Sequence, residues 1–164
     1  MQHMHAATRK DEPEAGFTLI ELMVVVLIIA ILIAVLIPTF VGAKQKAQDR
    51  GAQSSLHNGL TAAKIVYSDR GDYTMATVAT LQGVEPSLAW LPAATASTDP
   101  NALSVDPAST SYVVLAAQSN SGTCFFVSDD ASAGGAGVQF AQASGGCTAS
   151  AAPAAGSAAW KSAW

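Results

Sequence analysis

The chain has 164 residues, half of them hydrophobic and only 12% charged, with a formal net charge of −4. That length holds one small domain and an added segment. A net negative chain offers no global basic field for recruiting nucleic acid.

Residues 1–16 hold Arg9 and Lys10 against Asp11, Glu12 and Glu14. The two bases lie close enough to the apolar run that follows to bias the N-terminus toward the cytoplasm. His3 and His5 sit in this polar leader and read as solvated side chains, not as ligands. From Gly16 the composition changes abruptly to GFTLIELMVVVLIIAILIAVLIPTF, ending at Phe40, and no polar side chain occurs between Leu22 and Ile37. Thirteen Leu, Ile or Val residues fall in that interval, contributing on the order of −4 to −8 kcal/mol to membrane insertion. An acid at mid-membrane costs about 2.5 to 3.5 kcal/mol, and Glu21 lies near one end, so insertion wins. A secretory signal cleaved after Val41-Gly42-Ala43 and a plain single-pass anchor are the competing readings. Signal h-regions run about 7–15 residues and rarely hold an acid, and neither reading accounts for the junction at Gly16.

That junction, Gly16-Phe17-Thr18-Leu19-Ile20-Glu21 followed by the long apolar run, resembles the class III signal of type IV pilins and pseudopilins. The resemblance implies cleavage between Gly16 and Phe17 by a prepilin peptidase, which also N-methylates the new Phe17 amine. It implies that the apolar helix is retained as the assembly core of a filament. Pro38 matches a proline common at that place in the family. Glu21 would be neutralised by the positive Phe17 amine, four residues back and on the same helix face, and the resemblance extends that pairing to the amine of a neighbouring subunit.

Past residue 40 the pattern turns amphipathic. Ala52, Leu56, Gly59, Leu60, Ala63 and Tyr67 recur at steps of three and four, which predicts a stripe facing a sheet. Lys44, Lys46, Gln48, Asp49, Arg50, Gln53, His57 and Lys64 mostly fall elsewhere. From Phe17 to Asp69 such a helix would run about 80 Å, with Pro38 and Gly42 as its weak point. Tyr67-Ser68-Asp69-Arg70-Gly71-Asp72-Tyr73 supplies the stop, Gly71 suiting a left-handed cap. Residues 71–110 are expected to form a variable connecting loop with a short helix at Thr77 to Gln82 and a Pro-rich stretch from Pro92 to Ser111. Leu81, Val84, Leu88, Trp90 and Leu91 are candidates to plug into the core. Strands are expected at Ser111 to Ala117, Thr123 to Ser128 and Val138 to Gln142, with Ser119 to Gly122 as a turn. The Ala- and Ser-rich tail, 149–164, is expected to be mobile, with Trp160 and Trp164 at an exposed end; a packed patch and an adhesive tip are the alternatives.

The two cysteines, Cys124 and Cys147, lie in the part of the chain that this topology puts outside the cytoplasm, where disulfides persist. In the family a disulfide near the C-terminus ties a loop to the sheet, and this pair fits that place; a metal site or a reactive thiol is the alternative. Such a bond is worth roughly 3–3.5 kcal/mol in the chain-entropy model. Asp129 and Asp130 beside a glycine-rich turn suggest calcium only weakly, without EF-hand spacing, and read as a solvated loop. Lys44, Lys46, Arg50 and Lys64 form a basic track that stacked copies could offer to nucleic acid, a weakly supported partner; the plainer account is a solvated face with inter-subunit ion pairs. No catalytic set, cofactor motif or metal set stands out.

The expected fold is α+β, a long N-terminal helix packed on a small antiparallel sheet of three to four strands. Its segments are a cleaved leader (1–16), a membrane and assembly helix (17–40), an amphipathic half (41–70), the connector (71–110), the disulfide-bonded sheet (111–148) and the tail (149–164). The expected function is a structural pilin, made in the inner membrane with its head outside the cytoplasm and then built into an extracellular pilus for adhesion, motility or DNA uptake. Its partners would be the prepilin peptidase, copies of itself, the assembly platform and minor pilins. A minor pilin or a pseudopilin of a secretion or competence system, and a tethered binding module that never polymerises, are the rivals.

Overall fold

The computed structural model describes residues 16–164. The chain divides into two compact units at Val41/Gly42. Helix α1 spans Leu19–Arg70, unbroken through Pro38 and Gly42, and supplies residues to both.

In the first unit every residue from Gly16 to Val41 is exposed. The helix there is apolar on all sides, so no single face marks a packing direction.

The second unit has a core on one face of a five-stranded sheet ordered β1-β2-β3-β4-β5. The strands are β1 Ala89–Pro92, β2 Ala102–Asp106, β3 Tyr112–Gln118, β4 Thr123–Asp130 and β5 Gly137–Ser144. β1 and β2 pair in parallel, and the other neighbours are antiparallel. The predicted stripe on α1 is packed: Ala52, Leu56, Gly59, Leu60 and Ala63 are buried against Leu103, Val113, Leu115, Phe125 and Val127, Tyr67 is half-buried, and Val66, outside the predicted stripe, is buried with them. A Cβ on Gly59 would overlap Leu103 and come within 3.3 Å of Trp90, so the helix approaches β1 and β2 as closely as only glycine allows. Gly71 ends the helix at φ 69°, its N–H donating to Tyr67 O at 2.6 Å.

The sheet holds five strands, one more than the upper expectation. Residues 71–110 are built where a connector was expected: a 3-10 turn at Tyr73–Met75, helix α2 at Val78–Val84 with Thr77 as its N-cap, and then β1 and β2. β1 and β2 are only four and five residues long, and Pro92 closes β1 at the sheet edge, where a missing N–H costs no ladder bond.

The tail lies against the sheet, and Trp160 is buried there where an exposed end was expected. Residues 145–160 cover the second face of the sheet, where Val114, Ala116, Cys124, Phe126 and Ala141 pack with Cys147, Ala149 and Trp160. The Trp160 indole donates to Pro153 O and Ala154 O, and Ala149 N–H donates to Ser104 Oγ at 2.9 Å. Lys161 forms a two-bond bridge with Phe140 on the outer edge of β5. Trp164 packs on Phe140, Phe125 and His57, with centroid separations of 4.3, 5.9 and 5.1 Å. Both faces of β3 and β4 are therefore buried, which explains their nearly continuous apolar runs.

Candidate functional site

The start of α1 is a closed hydrogen-bonded unit. Thr18 N–H and Thr18 Oγ1 both donate to Glu21 Oε2, at 2.9 and 2.8 Å, and Glu21 N–H donates back to Thr18 Oγ1 at 3.3 Å. This is a capping box, with Thr18 as the N-cap and Glu21 at the third helical position. Two N–H groups that would lack helical partners are satisfied, and the carboxylate sits at the positive end of the helix dipole. The sequence reading gave Glu21 a charge partner but missed this role, although the Thr-x-x-Glu spacing before an apolar run signals it. Gly16 and Phe17 precede the helix as exposed chain outside any helix or strand. The leader's Arg9, Lys10, His3 and His5 lie outside the described residues.

Beyond Glu21 the helix presents Leu22 to Ile37 with no polar atom but its own backbone, which is internally bonded except at Ala34 O, where Pro38 has no N–H to donate. Its most apolar 18-residue window has a mean hydropathy of 3.4. A segment with its backbone otherwise satisfied and every side chain apolar is stable in hydrocarbon or inside a bundle of similar helices. Pro38 lies within α1, just past this run.

In the second unit the disulfide joins Cys124 at the start of β4 to Cys147, with Cα atoms 5.3 Å apart and both residues buried. It fastens the tail layer to the sheet, and Ser97 N–H donates to Cys147 O at 2.8 Å beside it. Asp129 and Asp130 do not share a solvated loop. Asp129 lies on β4 facing the core, where Tyr73 donates its hydroxyl to Oδ2 and Lys64 Nζ sits 3.1 Å from Oδ1. Asp130 accepts from Ser132 N–H at 3.1 Å and Ser132 Oγ at 2.6 Å. Those two bonds lower its carboxyl pKa below the usual range. Among the described residues no group of three or more His, Cys, Asp and Glu side chains could hold a metal ion. Lys64 is committed to Asp129, so the basic track reduces to the exposed Lys44, Lys46 and Arg50. His57 lies edge-on to Phe140 and Trp164 on the exposed side of α1.

An α+β fold led by a long, capped helix whose first half is apolar is pilin-like. The family model for the prokaryotic N-terminal methylation motif matches residues 13–37, which covers the Gly16-Phe17 junction, Glu21 and the apolar run. The chain thus carries the class III signal peptide of type IV pilins and pseudopilins. No curated protein and no solved structure matches the chain significantly.

Proposed function

We propose that the chain is a structural subunit of a type IV pilus or a related filament. Prepilin peptidase cleaves it between Gly16 and Phe17 and methylates the new amine. The precursor rests in the inner membrane through residues 17–40 with its disulfide-bonded head outside the cytoplasm. The assembly platform then moves the apolar helix from lipid into a bundle of its copies, forming an extracellular fibre. The observation that carries this reading is the methylation motif running directly into a helix exposed and apolar on every side. Such a helix exchanges a lipid environment for neighbouring helices with little change in apolar burial.

Once cleavage frees it, the Phe17 amine competes with Thr18 for the Glu21 carboxylate. A carboxylate and an ammonium removed from water together cost far less than either alone. The requirement selects subunits docked at the register that brings the two charges together, which gives Glu21 and Phe17 their assembly role. Immunogold negative staining of producing cells, with antibody against the head, tests the function. Long labelled fibres support a pilin, short labelled stubs indicate a pseudopilin, and label confined to the envelope indicates a tethered module.

A further inference from the structure

Between Arg70 and Lys161 the chain contains no Lys or Arg, while six acids fall in that interval. The basic side chains of residues 42–164 therefore belong to α1 and to Lys161 alone, and the fold sorts them further. Lys46 and Arg50 are four residues apart, and Lys46 is eleven residues before His57, so all three lie on one side of α1. His57 marks that side as the β5 side, with its ring 5.5 Å from Phe140 of β5. Lys161 bridges to Phe140 along the outer edge of the same strand. Lys46, Arg50 and Lys161 are all exposed.

The opposite edge is acidic. There α1 faces β1 and β2, through Gly59 beside Leu103 and Trp90 and through Ser55 Oγ donating to Asn101 at 2.9 Å. Glu85 leads into β1 and its carbonyl accepts from the Trp90 indole, Asp99 lies between β1 and β2, and Asp106 closes β2. Each is exposed or half-buried, and none has a salt-bridge partner within the described residues. The remaining charges are Asp49, which accepts from Ser121 Oγ at 2.5 Å, Asp130, which accepts from Ser132 Oγ as Glu85 does from Ser87 Oγ and Asp99 from Asn101 N–H, Lys64 paired with Asp129, Lys44, and Asp69, Arg70 and Asp72 around the end of α1.

We infer that heads of neighbouring copies meet flank to flank, Lys46, Arg50 and Lys161 of one against Glu85, Asp99 and Asp106 of the next. The inference rests on the filament reading above and names the head surface by which subunits recognise one another. The two flanks lie at opposite edges of one sheet, so the contact is heterologous. Each subunit that docks leaves a fresh flank of each sign at the ends, and the array grows open instead of closing into a dimer. Complementary charge sets the register of docking, and like charge rejects wrong registers.

The test reverses the flanks in the full-length chain. Lys46→Glu/Arg50→Glu/Lys161→Glu makes both flanks acidic, and Glu85→Lys/Asp99→Lys/Asp106→Lys makes both basic. Each alone is expected to lower filament yield at least about tenfold. Producing the two variants together, or placing all six changes in one chain, restores complementary contacts and is expected to restore filaments. Parental yield from either single-flank variant, or no recovery in the combined cases, overturns the inference while leaving the pilin reading intact. If the parental chain forms no fibres, the pilin reading fails, and carbodiimide cross-linking in native membranes tests the flanks separately. Covalent dimers joined from Lys46 or Lys161 to Glu85, Asp99 or Asp106 support the contact, and only the intramolecular Lys64–Asp129 link counts against it.

Discussion

Tyr73, on the 3-10 turn just after α1, donates its hydroxyl to Asp129 of β4, 56 residues further along the chain. Tyr73 is fully buried and stacks on Tyr67 at 4.4 Å, and Lys64 of α1 holds the other carboxylate oxygen. A single buried carboxylate thus ties together the helix, the turn that ends it and the central sheet.

Tyr73→Phe keeps the ring and removes the donor, leaving Asp129 with Lys64 alone. Loss of a hydrogen bond to a buried charged group costs about 1–3 kcal/mol, and a lowered thermal midpoint measures it. The pair also sets an alkaline limit. Burial, then the hydrogen bond and charge of Asp129, push the Tyr73 hydroxyl far above the ordinary tyrosine value. In the unfolded chain the same group ionises near pH ~10. Its contribution is therefore complete below that pH and is lost progressively as pH rises above it. Thermal melts should show the parent losing its advantage over Tyr73→Phe above about pH 10; a constant difference through that range would count against the coupling.

Gly59→Ala tests the close approach of α1 to the sheet. Alanine gains about 1 kcal/mol of helix propensity. The new methyl overlaps the fully buried Leu103 and stands 3.3 Å from Trp90 and 3.7 Å from Leu115, and overpacking costs about 1–3 kcal/mol. Net destabilisation is expected in denaturant melts. Gly51→Ala, with open space around its Cβ position, should instead be neutral or stabilising.

Cys124→Ser is expected to lower head stability by about 2–4 kcal/mol and to loosen the layer that buries Trp160. Trp fluorescence should shift to the red and protease cleavage should appear after Cys147, while membrane insertion stays unchanged. Two freely alkylated thiols in native, non-reduced protein would rule this account out.

The helix end, the amphipathic stripe and the three antiparallel strands were legible because each carries a periodic or capping signal: Gly71 past the last turn, Leu56 to Ala63 at helical spacing, and apolar runs at β3 and β4. β1, β2 and the tail carry none. Ala89-Trp90-Leu91-Pro92 is too short to show alternation, and its partner Ala102–Asp106 becomes visible only once the two are side by side. The tail's composition is that of a mobile segment, yet the disulfide at Cys147 and the burial of Trp160 provide anchors that composition does not register. Asp129 was misplaced because the Asp-Asp pair beside glycines looks like a loop, whereas register puts Asp129 opposite Val113 and on the core face. In the N-terminal segment the Gly16-Phe17 junction is plain in the sequence, whereas the Thr-x-x-Glu spacing is the sole and faint sign of the reciprocal Thr18–Glu21 bonds.

The cap at Glu21 and the assembly role proposed for it are separable, and two substitutions divide them. Thr18→Ala removes the capping bonds and keeps the carboxylate, at about 0.5–2 kcal/mol of helix stability. Glu21→Leu removes both, and loss of one member of a buried ion pair costs about 3–5 kcal/mol. Both variants should insert in the membrane. Thr18→Ala should assemble close to the parental level and Glu21→Leu poorly, as counted by fibres per cell. Equal yields from the two variants would reduce Glu21 to a helix cap.

The central claim is that the methylation motif is used and the apolar helix survives processing. Intact-mass analysis of the protein extracted from membranes or fibres measures this most directly. The account predicts a mature chain that begins at Phe17 and carries one added methyl group on its amine. A mature chain beginning at Lys44, with the apolar helix gone, would show an ordinary secretory signal and contradict the account.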